Sequence, residues 1–199
     1  MTSDLAAAFD AAAEHYDDDS HGRIAERLLD GLPPAGDVLD VATGTGAAAF
    51  AALRLLGARR VVAVDIAPAM IARARERAAA GDPGGRIEWW VAPAVPAPVP
   101  DASADAVLCA SSLHFLGAGA LADWLRVLRP GGSVAYTLPG ADTFNPSPAF
   151  ARLVAADLVI PATGEQAAEP AVAAGFTGVR ATRAGIGGRT VYVVHGVRP

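Results

Sequence analysis

The chain has no lysine: all 16 basic residues among its 199 are arginine. Schiff-base chemistry, a lysine general base and a phosphate-binding P-loop lysine are therefore excluded. Cysteine is nearly absent too. The single Cys109 forbids an internal disulfide and fits a reducing, cytoplasmic setting. It lies in the apolar stretch "DAVLCA", so a buried, inert thiol is expected. No apolar run reaches the roughly 18 residues of a membrane helix, and the opening "MTSDLAAAFD" lacks the basic start of a secretory signal. Positive charge is in deficit, with a net charge of -5, which argues against a general nucleic-acid binder. No repeat is present. Hydrophobic residues make up 52% of the chain, enough for one domain with a sizeable core.

What is present is an alternation of short apolar runs with helical patterns, the mark of a parallel sheet flanked by helices. Strands are expected at 37–42, 61–65, 86–91, 104–110 and 133–138, with helices at 47–56, 68–80 and 118–128 between them. Pro68 suits a first helical turn, Gly81 should follow that helix, and "RPGG" should stop the next. The segment 92–103 carries four prolines and should be an extended loop. The organisation expected is a helical cap (1–35), a core (36–138), a short lid (139–175) with "FNPSPAF" as its mobile part, and a closing strand pair (176–199). Trp89 and Trp90 should face opposite sides of their strand.

The stretch "VLDVATGTGAAAF" poses the functional question. A strand that ends in a glycine turn and opens a helix brings backbone N–H groups beside a ligand. Asp65 ends the next strand about 20 residues on, where a carboxylate can take both hydroxyls of a ribose. A nucleoside-containing cofactor is expected, and both NAD and S-adenosylmethionine fit. Asp40, just before the turn, suits a ligand with a cationic amino-acid end and suits a pyrophosphate badly.

Four blocks in order, "VLDVATGTG", "VVAVDIAPAM", "VPDASADAVLCASSLHF" and "LRVLRPGG", resemble the class I S-adenosylmethionine-dependent methyltransferases, in the style of the ubiquinone/menaquinone-biosynthesis type and its small-molecule relatives. "FDAAAEHYD" resembles that family's cap helix. The resemblance implies a Rossmann-like, doubly wound α/β fold with a mostly parallel seven-stranded sheet and an antiparallel closing strand. It implies S-adenosylmethionine as cofactor and a small, apolar or aromatic methyl acceptor, with neither nucleic acid nor membrane as partner and a homodimer compatible. Ala42, Thr43, Gly44 and Gly46 would line the methionyl and ribose region. Asp65 would bind the ribose, and Ile66 and Met70 would pack near the adenine. Ala110 and Ser111 would lie under the sulfonium, and Tyr16 would close over the cofactor.

One position departs from the family pattern. The residue that usually accepts from the adenine amino group is an aspartate, and the matching triplet here is Ala92-Pro93-Ala94, so only the Ala94 N–H would serve the adenine. Loss of that acceptor keeps open a second reading, a methyltransferase-like protein that binds the cofactor without transferring methyl. As general base, His114 in "SSLHF" is the first candidate, with His15 and His21 in the cap as weaker ones and His195 read as structural. Asp17, Asp18 and Asp19 read as a solvated acidic run. No metal-ligand spacing is visible.

Overall fold

The computed structural model describes residues 2–13, 16 and 19–199. Two helices, α1 (Thr2–Ala12) and α2 (Asp19–Leu29), precede the core. The core runs β1 (Asp37–Val41), α3 (Ala47–Leu55), β2 (Arg60–Asp65), α4 (Pro68–Gly81), β3 (Ile87–Val91) and β4 (Ala104–Cys109). It continues through α5 (Leu113–Leu116), α6 (Ala120–Val127) and β5 (Leu128–Pro139). The remainder is α7 (Pro148–Ala151), α8 (Gly164–Ala173), β6 (Thr177–Ile186) and β7 (Arg189–Val197). One sheet has the order β3-β2-β1-β4-β5-β7-β6, with β7 antiparallel to both its neighbours. The Rossmann-like expectation is met, closing strand included.

Strand sequence explains the three layers. Buried on both faces, the inner strands are apolar at successive positions rather than alternate ones. Val38, Val61, Ala63 and Trp89 pack with α2 and α3 on one face. Leu39, Val62, Val64, Tyr136 and Val194 pack with α6 and α8 on the other. Trp89 and Trp90 divide between these faces as their alternation requires. His195 is structural: its Nε2 lies 2.8 Å from the Leu28 carbonyl oxygen and fixes α2 to β7. Cys109 is fully buried, and burial pushes its thiol pKa up.

Four expectations need correction. The helix read at 118–128 is shorter, preceded by the single turn α5. "RPGG" ends that helix but lies within β5: pairing jumps from Ala104–Leu128 to Ala106–Ser133, and the bulged residues are tied instead to the chain end, Gly131 N to Arg198 O and Arg198 N to Gly132 O. The lid expected over 139–175 is two different things. Residues 152–156 line the cavity described below, but α8 is a core helix, with Ala167 and Ala171 fully buried. Its N-cap is Thr163, whose side chain accepts from Gln166 N. Gly81 closes α4 rather than following it.

Candidate active site

In an open sheet a crevice forms where neighbouring strands send their connections to opposite faces, here at the carboxyl ends of β1 and β4. Both exits use a strained residue other than glycine: Ala42 has φ 50° and Ser111 φ 60°. Such backbone persists where its surroundings hold it, and the Ser111 N–H donates to Thr137 Oγ1 at 2.7 Å. Gly46 opens α3 at φ 88°, and a Cβ there would lie 2.5 Å from the Trp89 ring, so only glycine fits.

A cavity of about 410 Å³ occupies this crevice. On its floor lie Ala42, Gly44, Asp65 and Ile66. One side is formed by Pro93, Ala94 and Val95, another by Ser112, Phe115 and Leu116. Leu5 and Phe9 of α1, Tyr16, and residues 152–156 complete it. Asp65 is 7% exposed. Its Oδ2 accepts from Gly44 N at 2.8 Å and its Oδ1 from Ala67 N at 2.9 Å. Each oxygen keeps acceptor capacity toward the cavity. Burial raises its pKa, and these two N–H donors work against that rise. Tyr16 stands over Gly44, where a Cβ would come within 3.3 Å of its ring, and stacks on His21 at 4.5 Å.

The structure thus brings Tyr16, Ala42, Gly44, Asp65, Ile66, Pro93 and Ala94 together around one cavity. Thr43, Gly46, Met70, Ala110 and Ser111 support that wall without lining it. Thr43 donates its hydroxyl to Asp40, and Met70 is fully buried against Ala13 and Ala67. Asp40 itself is wholly buried beneath the turn. Its Oδ1 has no hydrogen-bond partner among the described residues, and burial pushes its pKa up to about 7. His114 does not line the cavity. It is 5% exposed, packed between Phe115 (4.0 Å between ring centroids) and Phe144 (5.5 Å), and burial pushes its pKa down to about 4. His15, Asp17 and Asp18 lie outside the described residues, as does the side chain of Asp19. Among the described residues no group of acidic, histidine or cysteine side chains could hold a metal, and no helix is long and apolar enough to cross a membrane.

The roof joins the expected cap helix α1 and the end of "FNPSPAF" to α5, and the sequence reading missed the contacts that tie them together. Phe9, Phe115 and Phe150 form a ring cluster with centroids 5.3–6.0 Å apart, Phe9 meeting both others edge-to-face, that joins α1, α5 and α7. Ala155 N donates to the His114 carbonyl at 2.8 Å and holds residues 152–156 against α5. Asp10 on α1 accepts from Ala69 N at the start of α4, at 2.8 Å. The aromatic positions themselves were visible in the sequence, but nothing local ties them to one another.

The cavity fits an adenosyl cofactor on three counts: a carboxylate on the floor facing the space, a turn that tolerates only glycine at its close approach, and an unpartnered buried carboxylate oxygen beneath that turn. Comparisons with known proteins agree. Residues 38–132, just under half the chain, match the family model of a methyltransferase domain. Over 146 residues the chain is 36% identical to the malonyl-[acyl-carrier protein] O-methyltransferase of Halorhodospira halophila, covering 69% of this chain and 48% of that one. It is 39% identical over 136 residues to the ubiquinone/menaquinone biosynthesis C-methyltransferase UbiE of Methylobacterium nodulans, covering 60% and 53%. The chain spans about half the length of the curated relatives it matches. Its fold superposes on the 1,6-didemethyltoxoflavin-N1-methyltransferase of Burkholderia thailandensis with a TM-score of 0.74 at 22% identity, covering 98% of this chain and 88% of that one. Residues 38–132 thus match a methyltransferase domain, and the chain is similar in sequence and in fold to S-adenosylmethionine-dependent methyltransferases.

Proposed function

We propose that this protein binds S-adenosylmethionine in the cavity above Asp65 and transfers its methyl group to a small, largely apolar acceptor. The observation that carries the reading is the Asp65 carboxylate, fixed by two backbone N–H groups and still bordering the cavity. When bound, the cofactor supplies an electrophilic methyl on a cationic sulfur. Asp65 accepts from the ribose hydroxyls. Ile66, Pro93 and Val95 offer apolar surface to the adenine, and the Ala94 N–H is the donor for a ring nitrogen. Asp40 lies buried under the turn that would take the cationic amino-acid end, and that cation would favour ionisation of a carboxyl that burial otherwise keeps protonated. Tyr16 and Phe9 cover the cavity and keep water from it. Held there, the cofactor would supply the methyl for an in-line displacement by the acceptor's nucleophile, with the thioether S-adenosylhomocysteine as leaving group. Positioning supplies much of the acceleration in such a displacement.

The walls around the acceptor space, from α1, α5 and residues 152–156, are mainly apolar, which supports a small apolar or aromatic acceptor. His114, held neutral and turned into its aromatic packing, is a poor proton acceptor near neutral pH. An acceptor that arrives as an anion, or loses its proton to water, suits the site better than one that needs a base. Calorimetric titration with S-adenosylmethionine, S-adenosylhomocysteine and NAD tests the reading. Both adenosyl ligands should bind, NAD should not, and Asp65→Ala should weaken the adenosyl ligands at least tenfold. Failure of both adenosyl ligands to bind at millimolar concentration would sink it.

A further inference from the structure

Among the described residues, two charged side chains line the cavity, Asp65 on the floor and Arg152 in the roof. The first has a role in the proposed function and the second has none. Arg152 follows α7, and its side chain is exposed toward the cavity mouth. Its protein partner is a carbonyl of its own segment, Pro148 O, which accepts from Nε at 3.2 Å. No carboxylate among the described residues pairs with it, whereas Arg27, Arg54, Arg60, Arg126, Arg129 and Arg183 each meet one. The four N–H bonds of its terminal nitrogens are thus left for solvent or a ligand. A guanidinium presents them as a planar fork that matches a carboxylate, and Phe9, Leu116 and Leu153 line the same cavity with apolar surface.

We propose that Arg152 is the cavity's carboxylate receptor, and that the carboxylate it reads is a non-reacting group on the methyl acceptor. The substrate class is then a small apolar or aromatic acid, with the acid gripped in the roof and its other end directed at the sulfonium. The inference rests on the cofactor reading above. Carboxylate chemistry has a second source, the amino-acid end of the cofactor itself. The acceptor is favoured by placement. Residues 152–156 are pinned to α5, beyond the end of β4, by the Ala155–His114 backbone bond. The amino-acid end is assigned to the turn that follows β1. Asp65 on the floor also disfavours an acid bound the other way up.

The test uses the full chain with Arg152→Gln and Arg152→Lys, both at an exposed position. In the first arm, S-adenosylhomocysteine and 5′-methylthioadenosine, which lacks the amino-acid end, are titrated into each protein. Their affinities should stay within about twofold of wild type. In the second arm, protein saturated with S-adenosylhomocysteine is titrated with 4-hydroxybenzoate, 2-naphthoate and octanoate, and with the matching neutral amides. At least one acid should bind wild type tenfold or more tightly than its amide. Arg152→Gln should abolish that preference and Arg152→Lys should retain part of it. Several outcomes overturn the proposal: no acid preferred over its amide, a preference that survives in Arg152→Gln, or an Arg152→Gln loss of tenfold in S-adenosylhomocysteine alone, which would make the cofactor's carboxylate the partner. Absence of S-adenosylhomocysteine binding to wild type is a different failure, that of the cofactor reading, and the proposal falls with it.

Discussion

Pro93 occupies the cavity wall beside Ala94, at the position where the resemblance leads one to expect an aspartate. A proline there has neither an N–H nor a side-chain acceptor to offer the adenine. A hydrogen bond to a charged acceptor contributes about 1.5–3 kcal/mol, or roughly 10- to 100-fold in affinity. Pro93→Asp should therefore tighten S-adenosylhomocysteine by at least fivefold in calorimetric titration, and no gain would remove adenine from this wall. Gly46 is constrained differently. Its φ of 88° costs a residue with a Cβ about 1–2 kcal/mol, and the 2.5 Å approach to Trp89 adds a clash with a buried ring. Gly46→Ala should lower unfolding stability by about 2 kcal/mol or more in urea; a change under about 0.5 kcal/mol would show that the turn relaxes freely.

Among the elements, α1 does most to close the site while contributing little to the core. Its polar tether is Asp10, which takes the N–H of Ala69 at the open end of α4. The tether stands in for a cap, because Ala67, the residue before α4, makes no side-chain cap. Losing a cap costs about 1 kcal/mol, which is roughly 2–4 °C in a chain of this size. Asp10→Ala should lower the melting temperature by that amount and weaken S-adenosylhomocysteine several-fold, since α1 roofs the cavity through Leu5 and Phe9. Asp10→Asn keeps the acceptor and should restore most of both. An unchanged affinity in Asp10→Ala would mean that α1 is not held over the ligand. The opposite case is α8, which the sequence places in the lid and the fold places in the core. Its alanines at 167 and 171 are one turn apart and face the sheet beside Tyr136, whose hydroxyl donates to Ala167 O at 2.8 Å. Small residues carry little signal in sequence and become close-packing surface once a sheet lies against them.

Across the whole molecule, two buried groups pull stability in opposite directions with pH. Asp40, pushed up to about 7, keeps in the folded state a proton that the unfolded chain loses near pH ~4. Its contribution is full below pH ~4 and is lost as pH rises through 7. His114, pushed down to about 4, stays neutral in the folded state while the unfolded chain takes up a proton near pH ~6.5. Its contribution is full above pH ~6.5 and is lost as pH falls through 4. A tenfold difference in proton affinity between folded and unfolded chain is worth about 1.4 kcal/mol. Each group therefore contributes on the order of a few kcal/mol, and over pH 4–6.5 the two offset each other. Asp65 adds to the first trend and His195 to the second. Denaturant titrations at several pH values should show Asp40→Asn gaining stability relative to wild type as pH rises from 4 to 7. His114→Asn should lose ground relative to wild type as pH rises from 4 to 6.5. Parallel curves for wild type and both variants would contradict these buried titrations.

Local sequence was enough to set the inner strands of the sheet, the glycine turn and Asp65 at the end of β2. Each is written within a few residues: apolar runs buried on two faces, a positive φ at Gly46 that glycine serves, and one carboxylate at a fixed offset from the turn. Composition alone likewise removed lysine and disulfide chemistry. Three outcomes waited on the folded chain: residues 152–156 close the cavity, α8 belongs to the core, and His114 is packed among aromatic rings away from the cavity. They depend on which distant segments settle over the same sheet edge. Periodicity records which side of a segment is buried, and it carries no record of what the segment is buried against.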